Sequence, residues 1–430
     1  MESVWSAECE LPRFPTLQES ITTNVLVIGG GMAGLLCAHA LQKAGVDTVL
    51  VEAKNIGSGI TKDTTAKITS QHGLIYHKLL RQFGFEKARL YYKANQEALA
   101  AFCRLCADID CDFSRQDSYV YSTDGRAKLE QEIAALSTLG IPATLVSETI
   151  LPFPVAGAVK FANQAQFHPL KFLSAIVPEL KIFENTAVRE LVPHTAVTDF
   201  GTIEAKNIIV ATHFPMLNKH GSYFLKLYQH RSYVLALENA GSVSGMYVDE
   251  SDTGLSFRRH GDLLLLGGGS HRTGKPGGTW HELEAFTQKH YPDAKIRYRW
   301  ATQDCMSLDG VPYIGPYSRR TEGLYVATGF NKWGMTSSMA AARLLTDQIR
   351  GKENPYTDLF SPSRSILRPQ LAINGWEAAV NLLTPKAKRC PHLGCALKWN
   401  PQEHSWDCPC HGSRFSETGE ILDNPANGCR

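Results

Sequence analysis

The apolar residues of this chain fall in short runs separated by glycine-rich turns, and their spacing predicts the elements. Residues 24–28, Asn-Val-Leu-Val-Ile, form an apolar β-rich run, and residues 35–44 are rich in good helix formers. Between them stands a tight turn, Gly29-Gly30-Gly31-Met32-Ala33-Gly34. A second apolar strand, 48–51, ends in Glu52 and closes a βαβ unit of about 30 residues. Gly, Ser and Thr dominate 57–76 and predict a long loop; 79–106 reads as helix and 152–169 as irregular. Strand-like runs at 187–192 and 207–211 precede alternating strands and turns over 232–269. A strand at 324–327, a turn at Gly329 and a helix from about 336 to 350 follow. Pro355, Pro362 and Pro369 mark a linker, and 376–383 is a short amphipathic stretch before a cysteine-rich tail. No fixed period repeats, which disfavours solenoids and propellers. The alternation of strands and helices predicts an α/β fold.

Composition narrows the function classes. Of 430 residues, 43% are hydrophobic and 20% charged, an ordinary globular balance with room for two or three cores. The formal net charge of +2 carries no basic stripe, so a nucleic-acid surface is not expected. No apolar run approaches the about 20 residues of a membrane helix, and the first 23 residues lack the basic start and apolar stretch of a signal peptide. A cytoplasmic protein without a transmembrane segment is expected. Four of eleven cysteines fall within 390–410, where metal chemistry explains them better than a disulfide framework.

Gly29-x-Gly31-x-x-Gly34 lies between a predicted strand and helix, with Glu52 18 positions after Gly34. In that context Gly29 permits the turn, Gly31 admits a pyrophosphate to the backbone, Gly34 allows close helix–strand packing, and Glu52 accepts from a ribose. Both NAD and FAD fit this much. At the other end, Cys390-Pro-His392 and, after fifteen intervening residues, Cys408-Pro-Cys-His411 supply one Cys and one His from each of two loops. A [2Fe–2S] centre with two thiolates on one iron and two imidazoles on the other needs that set, and zinc accepts the same composition.

Wider stretches decide both choices by resemblance. Gly57-Ser58-Gly59 with Thr64-Thr65-Ala66-Lys67, and later Asp309-Gly310-Val311-Pro312-Tyr313-Ile314-Gly315 with Gly329-Phe330-Asn331-Lys332-Trp333-Gly334-Met335, resemble FAD-dependent amino-acid and amine oxidoreductases of the glycine oxidase kind. The resemblance implies FAD, held by Gly29, Gly31, Met32, Ala33, Gly34, Glu52, Ala53, Ser58, Thr64, Thr65, Ala66, Lys67, Val188, Gly329, Trp333, Gly334 and Met335. It also implies that His230-Arg231-Ser232-Tyr233 borders the substrate cavity, making Arg231 and Tyr233 candidate substrate contacts. His392-Leu-Gly-Cys395 with Cys408-Pro-Cys410-His411-Gly-Ser413 resembles Rieske proteins. That implies Cys390, His392, Cys408 and His411 as [2Fe–2S] ligands, a Cys395–Cys410 disulfide, and a Ser413 hydroxyl on a cluster sulfur. Phe415 stands where high-potential members often have Tyr, so the potential is expected below the top of the Rieske range of roughly −150 to +300 mV.

The whole chain resembles a bacterial family in which an FAD-dependent oxidoreductase is fused to a C-terminal Rieske domain. The expected architecture is a glutathione-reductase-type FAD-binding Rossmann-like domain (about 20–75, 180–215 and 300–352) with a mixed-sheet substrate domain (about 76–180 and 215–300), together 1–365. A shortened Rieske-like module of β and loop character takes 366–430, with so little base that its loops should lean on the flavin body. A small amine-like substrate and a one-electron donor or acceptor protein are the expected partners. A non-catalytic redox sensor is the rival reading. An oxygenase is disfavoured because no two-His-one-carboxylate iron segment is present. Cys103, Cys106 and Cys111 are read as buried thiols, and His72, His77, His168 and His271 as satisfied histidines.

Overall fold

Leu26 and Ile28 are buried on one face of the strand Ile21–Ile28, and Val25 and Val27 on the other, because the strand lies inside a sheet with apolar clusters on both sides. The computed structural model describes residues 2–216, 220–241, 243–251 and 253–426; Cys429 lies outside them. The first sheet runs Tyr313–Pro316, Leu324–Thr328, Thr202–Val210, Ile21–Ile28, Thr48–Val51, Lys181–Phe183, and its last five strands are parallel. The helices Met32–Lys43 and Gly334–Ile349 pack together through small residues such as Ala33, Ala38, Ala340 and Ala341.

The second sheet has nine strands and is mixed. Its order is Lys295–Ser307, Leu227–Glu238, Leu263–Arg272, Ser256–His260, Met246–Asp249, Ser114–Ser122, Gly157–Gln166, Lys67–Ile68, with Thr144–Val146 beside Gly157–Gln166. The third is a four-stranded antiparallel sheet of three-residue strands: Lys398–Asn400, Ser405–Asp407, Arg414–Ser416 and Ile421–Asp423. Among the described residues no helix is long and apolar enough to cross a membrane.

Three local expectations change. The segment 152–169 is not irregular: Gly157–Gln166 is a ten-residue strand with buried residues bunched at both ends, so no period-2 signal marks it. The 57–76 loop contains a helical turn, Ile60–Asp63, and the strand Lys67–Ile68. The stretch 376–383 is the end of a longer helix, Pro369–Leu383, whose proline sits in the first turn, where its missing N–H is not needed.

Cys106 and Cys111 are buried and Cys103 is half-buried, as apolar thiols. At the N-terminus Trp5 is fully buried between the rings of His168 and His260, and Glu8 Oε2 lies 2.7 Å from His260 Nε2. His168 Nδ1 accepts the Lys171 N–H, so the ring's proton sits on Nε2 and faces Glu8. That trio therefore pins the N-terminal turn.

Candidate active site and cluster centre

A cavity of about 1480 Å³ is walled by residues of both large sheets. Gly34 lies beneath its wall, not on it, and a Cβ there would stand 1.9 Å from the Gly29 carbonyl oxygen. Gly31 caps the helix Met32–Lys43 with no side chain of its own, leaving the first-turn N–H groups to outside partners; Met32 N–H donates to Thr61 Oγ1 at 3.0 Å. Gly29, Gly31, Met32 and Ala33 line the cavity. Glu52 Oε2 accepts Gly30 N–H (2.7 Å) and Oε1 accepts Lys54 N–H (2.9 Å). Burial pushes its pKa up and those two donors work against the rise. Each oxygen keeps a second lone pair for a ribose hydroxyl. Ala53 and Val188 line the cavity as well.

The loop after the second strand supplies Ser58, Thr64, Thr65 and Lys67 to the wall. Ala66 is not on it: with φ +51° it turns the chain, and Arg258 Nη1 donates to its carbonyl and to that of Thr65 at 3.0 and 2.7 Å. Burial, reinforced by Arg258, pulls the Lys67 ammonium down to about 7, and Lys67 Nζ donates to Thr65 Oγ1 at 3.1 Å. Gly329, Trp333, Gly334 and Met335 bring the N-terminus of the Gly334–Ile349 helix to the cavity. Trp333 stacks on His72 with centroids 4.9 Å apart. His72 is a satisfied neutral imidazole, held by Tyr91 Oη (2.6 Å) and the Thr69 carbonyl (2.9 Å) and pushed down to about 3 by burial.

On the substrate side Tyr233 lines the cavity with its hydroxyl 3.4 Å from His271 Nε2. Two residues that sequence reasoning missed as site residues join it. Asp304 lines the cavity, and burial pushes its carboxyl up to about 6 against the opposing pull of Lys332 and Arg231. Lys332 Nζ donates to Ser270 Oγ at 2.6 Å. Arg231 also lines the cavity, but its guanidinium is already engaged. Nε donates to Glu403 Oε1 at 2.8 Å, Nη2 to Glu403 Oε2, and Nη1 lies 3.9 Å from Asp423 Oδ2. A carboxylate from the C-terminal module takes the charge that a substrate was expected to meet.

That module docks on the strands Leu227–Glu238, Leu263–Arg272 and Lys295–Ser307. Gln229 Nε2 donates to the His411 carbonyl (2.7 Å), Gln303 Nε2 to the Gly412 carbonyl (2.9 Å), and Arg272 to the carbonyls of Pro409 (2.9 Å) and Cys410 (3.2 Å). Gly412, at φ +83°, lets the loop come so close that a Cβ would sit 2.6 Å from Gln229 Cβ. Behind the interface Arg414 binds Glu403, Asp407 and Asp423 at 2.9, 3.0 and 3.0 Å. Burial alone would raise Glu403, but the Arg231 and Arg414 guanidiniums hold it below the usual carboxylate range.

Cys390, Cys408 and His411 are buried, and Nδ1 of His392 lies 3.3 Å from Nδ1 of His411. Two imidazoles on one metal, at about 2.1 Å each and a near-tetrahedral angle, would hold their nitrogens roughly 3.4 Å apart. The donor set therefore fits an iron shared by two histidines. Ser413 is fully buried, and its hydroxyl accepts the Ala426 N–H at 3.0 Å. The expected disulfide is not formed: Cys395 and Cys410 are free, their sulfurs within 4.8 Å of each other and of Cys408. A bond needs sulfurs about 2.05 Å apart.

The family model for FAD dependent oxidoreductases matches residues 24–348, and that for the Rieske [2Fe-2S] domain matches 383–429. The chain belongs to the FAD-dependent oxidoreductase family. This oxidoreductase carries FAD in its body and a [2Fe–2S] cluster in its Rieske domain. It is 36% identical to the Bacillus subtilis (strain 168) Rieske 2Fe-2S iron-sulfur protein YhfW, over 99% of this chain and 96% of the relative. It is 24% identical to the gamma-glutamylputrescine oxidoreductase of Escherichia coli (strain K12), over 79% of this chain and 86% of the relative. The glycine oxidase structure from Geobacillus kaustophilus superposes with a TM-score of 0.67 at 19% identity, covering 80% of this chain and 99% of that one, a likeness of fold.

Other residues of this oxidoreductase were missed because their roles are tertiary. Gln229, Gln303, Arg272 and Arg258 reach backbone carbonyls between 91 and 195 residues away in the chain, including those of Cys410 and Thr65, and no spacing signals that. Phe214 was missed likewise: its ring centroid lies 6.2 Å from those of both His392 and His411, and its chain neighbours Thr212 and His213 line the cavity.

Proposed function

We propose that this oxidoreductase oxidises a small amine or amino acid and passes the electrons singly, through its Rieske module, to a one-electron acceptor protein in the cytoplasm. Bound FAD supplies hydride acceptance and single-electron release, and the cluster supplies one-electron exchange. The observation that carries the route is Phe214. Its ring packs on both imidazoles, while its neighbours Thr212 and His213 line the cavity. His213 Nε2 and the His411 carbonyl are further joined through the Gln229 amide, at 3.2 and 2.7 Å. The reading divides the chain near residue 365, with Cys390 and Cys408 holding one iron and His392 and His411 the other. The free thiols suit a reducing compartment.

For the substrate, Asp304 is the group whose charge suits an amine, and Lys332 and Tyr233 stand ready for a polar or anionic end. Asp304 is neutral below about pH 6 and ionised above it. Binding of a cationic amine is therefore expected to tighten as pH rises through about 6, and Asp304→Asn to remove that limb and weaken binding about tenfold or more. Anaerobic flavin bleaching by a panel of amines, amino acids and N-methylated compounds, titrated across this range, checks it. A panel that never bleaches the flavin while the cluster still titrates would favour a sensor.

The ligand assignment has its own test. His411→Cys keeps four ligands but adds an anionic thiolate, so the cluster potential is expected to fall toward ferredoxin values with the flavin spectrum unchanged. A redox titration followed by EPR reads it, and an unshifted potential would remove His411 from the ligand set.

A further inference from the structure

The helix Pro369–Leu383 is turned inside out for a surface helix. Its buried residues are Asn374 and Asn381, and every exposed residue from Ala372 to Leu383 is apolar or glycine. Asn374 Oδ1 accepts from Arg272 Nη1 at 3.0 Å, and Asn374 Nδ2 donates to the Leu225 carbonyl at 3.3 Å, so the polar face is fixed against the body. Outward point Ile373, Trp376, Val380 and Leu383, spaced so that they fall within about 80° of the helix circumference. Trp376 is 70% and Leu383 81% exposed. Leu367 precedes this stripe, and Leu393 extends it onto the cluster loop, which Arg389 ties to the helix end through the Leu382 and Gly394 carbonyls at 3.0 and 3.1 Å.

Such a contiguous apolar face marks an interaction surface. Charge decides the occupant. From residue 367 to 402 the chain has five basic residues, Arg368, Lys386, Lys388, Arg389 and Lys398, against one acid, Glu377, and that acid pairs with Lys275 at 2.8 Å. Lys386, Lys388 and Lys398 are exposed. A second copy meeting this face across a two-fold axis would oppose basic rim to basic rim. An apolar stripe with a tryptophan and a cationic border is instead the pattern of a helix lying in a bilayer interface.

We propose that the exposed face of Pro369–Leu383 seats this oxidoreductase on the surface of an anionic lipid bilayer, with the helix in the interface plane and the lysines on the headgroups. The inference concerns where the protein sits and is independent of the substrate reading.

Flotation of the holoprotein with phosphatidylglycerol/phosphatidylcholine vesicles, compared with phosphatidylcholine alone, tests it. Binding is expected to the anionic vesicles and to weaken with added salt. Trp376→Ser with Leu383→Ser is expected to weaken it at least about tenfold, as loss of two buried apolar side chains requires. Lys386→Glu with Lys388→Glu is expected to weaken it by a similar factor. All four side chains are on exposed residues, so unchanged flavin and cluster absorbance will show that the fold survives. The proposal is overturned by failure to bind anionic vesicles, or by binding that the serine variant retains. It is equally overturned by a dimer of the wild type that the serine variant abolishes, which would assign the face to a second copy.

Discussion

Replacing Arg231 by methionine is expected to release the Rieske module from the flavin body. The guanidinium and the Glu403 carboxylate that it binds are each almost fully buried, with 7% and 5% side-chain exposure. Removing Arg231 leaves the buried Glu403 carboxylate with Arg414 as its remaining cation, so the cost is expected at or below the low end of the range for a broken buried pair, about 3 kcal/mol. Arg414 still binds Glu403 and Asp423, so the loss falls on the contact between module and body and not on the module's own sheet. The expected phenotype is selective. Substrate at saturating concentration should still bleach the flavin, with an affinity shifted because Arg231 borders the cavity and acts on Asp304, while reduction of a protein one-electron acceptor should fall by two orders of magnitude or more. Limited proteolysis should find a new cleavage window in the 361–368 segment. In a double-mutant cycle Glu403→Gln should rescue part of the loss, because it removes the charge that Arg231 compensates. Equal acceptor rates in Arg231→Met and wild type would mean that docking is not held by this pair.

Gly34→Ala is the second large effect. The added methyl would lie 1.9 Å from the Gly29 carbonyl oxygen, backbone that cannot step aside alone. The helix Met32–Lys43 would have to back away from the strand Ile21–Ile28 and take its N-terminal N–H groups with it. The purified variant is expected to retain at most about a tenth of its flavin, since a cofactor site displaced by an ångström loses its hydrogen bonds together. The ratio of visible to protein absorbance measures this, and full flavin occupancy would contradict the close approach. Iron and sulfide analysis on the same sample distinguishes a local flavin defect from failure of the whole chain to fold.

How much of this was legible depends on how locally each feature is encoded. The βαβ unit with Gly29, Gly31, Gly34 and Glu52 was legible because strand, turn, helix and acid are contiguous and each carries its own propensity. The cluster centre was legible because its four candidate ligands lie in two short loops with a spacing that metal chemistry explains. The strand Gly157–Gln166 was not, because its neighbours in the sheet, and not its own alternation, bury it. Arg231 was placed beside the cavity, but its pairing with Glu403 was not foreseen, since that residue is 172 residues away in the chain. Asp304 escaped notice because an isolated acid in a strand has no pattern; only the cavity around it gives it meaning.

The loop that includes Cys408 and His411 finds its last hydrogen-bond partners in Gln229, Arg272 and Gln303, three side chains of the large mixed sheet. The iron site is thus the capstone of the molecule and not a separate ornament. Its loop carbonyls at Pro409, His411 and Gly412 find these donors only where the module sits on that sheet.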